Sequence, residues 1–113
     1  MIDQVSPAEL ADWIRAQAAT GPALVLDVRE SWEVQTASVK ADGFELVCMP
    51  MHTIPLRVQD LPTDRPIACL CHHGGRSMQV AAFLAQRGFA PVANIAGGIH
   101  AWASQIDPSI PTY

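Results

Sequence analysis

The sequence predicts an α/β domain of three layers, with a central, mostly parallel sheet flanked by helices. Short apolar runs at 23–28, 44–49, 67–70 and 92–95 alternate with amphipathic runs whose apolar residues recur at helical spacing. Strands alternating with helices close most simply as right-handed parallel crossovers, which lay the helices over the sheet faces. Size sets the scale: 113 residues, half of them apolar and 16% charged, suffice for one core, so residues 1–113 are expected to form a single domain.

The elements follow in order. Ser6-Pro7-Ala8-Glu9 has the residues of a capping box with proline at the first helical position, and Val5 and Leu10 stand where a hydrophobic staple places them. Leu10, Trp13, Ile14 and Ala18 form one apolar stripe, which makes Trp13 a core residue, and Thr20-Gly21-Pro22 stops the helix. Ala23-Leu24-Val25-Leu26-Asp27-Val28 has the apolar continuity of a strand buried on both faces. Arg29, Glu30 and Glu33 read as a solvated turn, with a partial helix through Ser31–Gln35. Asp42-Gly43 is a turn before a strand over Phe44–Met49. Arg57–Asp60 reads as a short helical turn, Leu61–Pro66 as a proline-bounded loop and Ile67–Leu70 as the next buried strand, with Cys69 a small core residue on the side of Ile67 and Cys71. Ser77–Arg87 is a helix burying Val80, Ala81 and Leu84, with Gly88 at its left-handed cap. Val92–Ile95 is the last strand, Gly97-Gly98 turns into a helix that buries Ile99 and Trp102, and Asp107–Pro111 is an extended tail over the surface.

Composition narrows the function classes. A formal net charge of −4 provides no basic footprint for nucleic acid or an anionic membrane, so neither is an expected partner. Met1-Ile2-Asp3-Gln4 lacks a basic segment and an apolar core of signal-peptide length, no apolar run approaches membrane-spanning length, and the cytoplasm is the expected compartment. Three cysteines (Cys48, Cys69 and Cys71) are an odd number in a short chain, which suits reduced thiols.

Between the third apolar run and the next helix lies Cys71-His72-His73-Gly74-Gly75-Arg76-Ser77. A strand that feeds through a glycine-containing loop into a helix aims backbone N–H groups and the positive helix end into one small bowl. A thiol at the mouth of such a bowl is stabilised as thiolate, which makes Cys71 the candidate nucleophile. Gly74 and Gly75 allow the tight curl and positive φ that converging amides require. Arg76 adds a permanent charge whose planar fork suits an anionic substrate, while His72 and His73 serve mainly as loop backbone with partial charge near neutral pH. Zinc is set aside, because Cys69, Cys71, His72 and His73 crowd into one stretch without a second ligand pair at regular spacing.

Cys71 and Arg76, with four residues between them, resemble the ends of the active-site loop of rhodanese-type sulfurtransferases. Leu26-Asp27-Val28-Arg29-Glu30 with Trp32-Glu33 is similar to that family's first signature, and Asn94-Ile95-Ala96-Gly97-Gly98-Ile99-His100-Ala101-Trp102 to its C-terminal one. The three stretches stand in the family's order. From Thr36 to Thr53 the chain departs: Ala37–Gly43 and Phe44–Met49 replace the family's glycine-histidine-isoleucine segment, and Cys48, Met49 and Met51 become candidates for the pocket wall.

The resemblance implies a single rhodanese domain in which Asp27 and Arg29 brace the loop, and His72, His73, Gly74, Gly75, Arg76 and Ser77 bind substrate. Cys71 would take a sulfane sulfur from an anionic donor such as thiosulfate as a persulfide and pass it to a thiol or to cyanide, with no metal or organic cofactor. The expected partners are the small donor and a thiol acceptor, or a sulfur-accepting protein. Two alternatives stand beside it. Related phosphatases and arsenate reductases use a similar loop one residue longer; with four residues between Cys71 and Arg76, the bowl here is expected to fit one sulfur atom better than a tetrahedral phosphoryl group. A persulfide carrier or redox sensor would use the same thiol without turnover, with Cys48 as resolving thiol if 36–53 folds over the loop.

Overall fold

A computed structural model describes residues 2–17 and 22–113. Its five strands, β1 (Ile2–Val5), β2 (Leu24–Asp27), β3 (Glu45–Cys48), β4 (Ile67–Leu70) and β5 (Val92–Ile95), form one sheet in the order β1-β5-β4-β2-β3. All four pairings are parallel. The helices are α1 (Pro7–Ala16), α2 (Ser31–Thr36), α3 (Ile54–Arg57), α4 (Gly75–Gln86) and α5 (Gly98–Gln105).

Every residue of β2, β4 and β5 is buried, as their apolar continuity requires of strands covered on both faces. Over one face Leu10 and Trp13 of α1 and Ile99 and Trp102 of α5 pack on Val25, Leu70 and Ile95. Over the other, Val80, Ala81 and Leu84 of α4 pack with Leu24, Leu26, Ile67 and Cys69. The expected stripes and both core tryptophans thus lie where helical periodicity puts them.

β1 is the strand that the sequence reading did not anticipate. It pairs with β5 at the sheet edge, Ile2 opposite Val92 and Val5 opposite Ile95, and its Asp3 and Gln4 are exposed. An edge strand of four residues with two polar ones carries no apolar run to betray it. At the start of α1 the expected capping box is present, with the Ser6 N–H donating to Glu9 Oε1 at 2.9 Å. Ala18, Thr20 and Gly21, the expected end of that helix, lie outside the described residues. Helical structure after β3 begins with a 3₁₀ turn at Met51–Thr53 rather than at Arg57, and runs through α3 into a second 3₁₀ turn at Val58–Asp60. Because all strands run the same way, their C-terminal ends form one rim, where β2 delivers Asp27 and Arg29 and β4 delivers Cys71.

Candidate active site

The loop leaving β4 is held from behind by the start of α5. The Ile99 N–H donates to the Cys71 carbonyl at 2.9 Å and the His100 N–H to the His72 carbonyl at 3.1 Å. So close an approach requires glycine at 98: its φ is +60°, and a Cβ there would lie 2.4 Å from both carbonyl oxygens. Gly74, at φ +108°, caps α4. Gly75 does not take the expected positive φ; it is already helical, with open space where a Cβ would stand. Only the first glycine of the pair is conformationally required.

Cys71 is 1% exposed and shares the α4-side core with Val28, Met49, Ile54 and Val80. This corrects the expectation of a thiol at an open mouth: the Cys71 side chain continues the inward face of β4. Two donors address its sulfur, the Gly74 N–H at 3.1 Å and the Ser77 hydroxyl oxygen at 3.3 Å. The bowl of several amides expected around Sγ is, among the described residues, one amide and one hydroxyl. By helical geometry the N–H groups of Gly75, Arg76 and Ser77, in the first turn of α4, have no carbonyl partner within the helix.

Asn94, at the end of β5, is a residue to which the sequence reading assigned no role. Its Nδ2 donates to the Gly74 carbonyl at 3.3 Å and to Gln4 Oε1 at 3.0 Å, which turns Oδ1 toward Ser77, 2.5 Å from the hydroxyl. A hydroxyl carries one proton, so Ser77 donates to one of these two acceptors at a time, Asn94 Oδ1 or Cys71 Sγ.

A second network surrounds Arg29, which is fully buried. Its Nε and Nη2 donate to the two Asp27 oxygens at 2.9 and 2.7 Å, Nη2 also to the Ala37 carbonyl at 2.8 Å, and Nη1 to the Glu33 carbonyl at 3.3 Å and the Tyr113 hydroxyl at 2.9 Å. All five guanidinium donors are used. Burial opposes its charge, but the bonds to Asp27 and Tyr113 outweigh that, and its pKa lies above the ordinary arginine value.

Glu33 corrects the expectation of a solvated turn. It is 3% exposed, and its carboxylate receives Arg76 Nη1 and Nη2, each at 2.7 Å. The same carboxylate accepts from the Glu30 N–H at 2.9 Å and the Tyr113 hydroxyl at 3.1 Å. Arg76's hydrogen bonds, against the opposing effect of burial, hold the Glu33 pKa down to about 2. Arg76 is therefore half of a neutral pair rather than a free charge on the rim. Asp27 and Arg29 reach the loop through this chain, Arg29 to Glu33 to Arg76.

His72 lies face to face with Tyr113, ring centroids 3.9 Å apart, and on its other side stacks with His73 at 4.0 Å. Its Nε2 is buried with no hydrogen-bond partner. Burial, then the neighbouring His73, lowers its pKa, so His72 is neutral at pH 7 instead of lending charge to the loop. The tail that carries Tyr113 does lie along the domain, anchored by buried Ile110, but its terminal ring had no signal in the sequence.

Of the pocket-wall candidates, Met49 packs in the same cluster as Cys71 and Met51 lies against it. Cys48 does not: it pairs in register with Asp27, and so does Leu70, which puts all three side chains on the opposite sheet face from Cys69 and Cys71. A resolving role for Cys48 is thereby overturned. Cys69 is fully buried and its pKa is pushed up to about 12 by that burial and by neighbouring Cys71. Among the described residues no group of three or more His, Cys, Asp or Glu side chains is placed to hold a metal ion.

Fold and site together define a parallel α/β domain that presents one cysteine on a loop capping a helix. Residues 6–105 match the family model described as Rhodanese-like domain, and the chain belongs to that family. It is similar to a sulfurtransferase of Allochromatium vinosum, 35% identical over 103 residues that cover 91% of this chain and 90% of that protein. It is 41% identical over 95 residues to rhodanese-like/PpiC domain-containing protein 12 of Arabidopsis thaliana, covering 80% of this chain but 30% of that longer protein. A crystal structure of a rhodanese-related protein from Thermoplasma volcanium superposes with a TM-score of 0.77 at 27% identity, covering 98% of this chain and 99% of that one. Sulfur transfer is the general chemistry that these relationships support.

Proposed function

We propose that the protein is a sulfurtransferase that moves a sulfane sulfur from a small donor to a thiophilic acceptor through a persulfide on Cys71. The Cys71 thiolate attacks the terminal sulfur of the donor; the donor's S–S bond breaks, and the remainder leaves with the bonding pair, as sulfite in the case of thiosulfate. An acceptor thiolate, or cyanide in an assay, then attacks the outer sulfur and regenerates the Cys71 thiolate. This is covalent catalysis by a nucleophile whose negative charge is met by preorganised donors.

The observation that carries the reading is the pair of donors on Cys71 Sγ, the Gly74 N–H and the Ser77 hydroxyl. With the thiol ionised, the Ser77 proton is free to turn from Asn94 toward sulfur. The N–H groups of Gly75, Arg76 and Ser77 are then the donors for an outer persulfide sulfur, a role that extends to His72 and His73 only through their backbone. The loop favours sulfur over a phosphoryl group, because the fork that would clamp an oxyanion faces Glu33. Three unpaired cysteines suit a reducing compartment such as the cytoplasm, where a cellular thiol or a sulfur-accepting protein is the acceptor.

Intact-mass analysis after incubation with thiosulfate or with cysteine persulfide tests this. Wild type, Cys48→Ser and Cys69→Ser are expected to gain one sulfur atom that cyanide removes, and Cys71→Ser to gain none. Absence of the adduct with both donors, or its persistence in Cys71→Ser, overturns the reading.

A further inference from the structure

Arg76 is the one arginine of the loop itself, and the structure spends its charge on a neighbour. The bidentate contact with Glu33 uses two of the five guanidinium donors. Three N–H groups remain for hydrogen bonding, but the pair as a whole is neutral. Nor is Glu33 free to swing aside: it is held by the Glu30 N–H and the Tyr113 hydroxyl, and its carbonyl by Arg29. Arg29 brings no compensating charge, since it is itself paired with buried Asp27.

Resting on the sulfur-transfer reading, we propose that Glu33 is a specificity-determining residue: by neutralising Arg76 it turns the Cys71 loop away from dianionic donors such as thiosulfate and toward organic hydropersulfides. Attack on thiosulfate brings a thiolate against a dianion, three negative charges in one buried site, before sulfite departs. A hydropersulfide brings the same thiolate at most one negative charge, and in its protonated form R–S–SH none. Cys71 Sγ bonds the outer sulfur, the S–S bond breaks, R–S⁻ leaves, and the proton stays on the transferred sulfur, so the step needs no oxidant or reductant. The loop's amide and hydroxyl donors serve both donors alike. What differs is whether an unpaired cation is there to offset the second charge, and Glu33 removes it.

The experiment follows the rate of Cys71 persulfide formation by rapid quench and intact mass, for wild type, Glu33→Gln and Cys71→Ser, with thiosulfate or cysteine persulfide across a salt series. Wild type is expected to load from cysteine persulfide about a hundredfold faster than from thiosulfate, with thiosulfate loading unchanged or accelerated by salt. Glu33→Gln, which keeps a hydrogen-bond acceptor for Arg76 but restores its charge, is expected to raise the thiosulfate-to-persulfide rate ratio about tenfold at low salt and to make thiosulfate loading slow as salt rises. A merely structural role would slow both donors alike, with no new salt dependence, and that result overturns the proposal. So does a wild type that prefers thiosulfate. Should Glu33→Gln fail to fold, the wild-type donor ratio and salt response decide by themselves. If neither donor loads Cys71, it is the sulfur-transfer reading that has failed, and this inference falls with it.

Discussion

The clamp between α5 and the Cys71 loop offers a sharp test, because two glycines separate its contributions. In Gly98→Ala the new Cβ would stand 2.4 Å from the Cys71 and His72 carbonyl oxygens and 2.6 Å from the His72 carbonyl carbon. All three are backbone atoms, so no side chain can rotate to relieve the overlap. Left-handed backbone at a residue with a Cβ costs about 1 kcal/mol or somewhat more. Relieving the clash means withdrawing α5 and losing the Ile99 and His100 hydrogen bonds, each worth about 1 kcal/mol, with a further cost of about 1 kcal/mol for a buried carbonyl left unpaired. The total is on the order of 4 kcal/mol. Gly88→Ala supplies the reference: φ is +88° there as well, but nothing lies within 4 Å of its Cβ, so only the backbone cost of about 1 kcal/mol applies. Urea unfolding of both variants should therefore show Gly98→Ala less stable than Gly88→Ala by about 3 kcal/mol, and Gly98→Ala should load sulfur far more slowly. Equal losses at the two positions would refute the clamp.

Two further outcomes follow from the networks around the loop. Arg29→Met leaves the Asp27 carboxylate buried without its counter-charge and strips donors from Ala37, Glu33 and Tyr113; a loss of about 3–5 kcal/mol is expected in urea unfolding, and a loss below about 1 kcal/mol would show that the pair is not what holds the rim. His72 binds a proton less readily in the folded protein than its ordinary value of 6.5 allows, owing first to burial and then to His73. The unfolded chain then binds more protons as the pH falls below about 6.5, so the stability that neutral His72 provides is present above that pH and lost progressively below it. His72→Phe, which keeps the stack on Tyr113, should flatten the dependence of urea midpoints between about pH 7.5 and pH 5.5; an unchanged slope would assign it to another group.

What the sequence determined by itself is local. β2, β4 and β5 were legible because strands buried on both faces must be continuously apolar, and α1, α4 and α5 because their stripes, caps and glycines act within a few residues. The loop from Cys71 to Ser77 was legible for the same reason, since a strand, a glycine and a helix start are neighbours in the chain. Tertiary structure alone decided what each charge and ring faces. Arg76 read as a free cation until Glu33, 43 residues away, was found beside it, and the hydroxyl that completes the Arg29 network comes from Tyr113, 84 residues on. β1 was missed because an edge strand takes its stability from backbone pairing with β5, which leaves its side chains free to be polar. Hydrophobic burial leaves a periodic trace along the chain; a hydrogen bond or an ion pair across the fold leaves none, because its partners need share no spacing and its energy is realised only when folding brings them together.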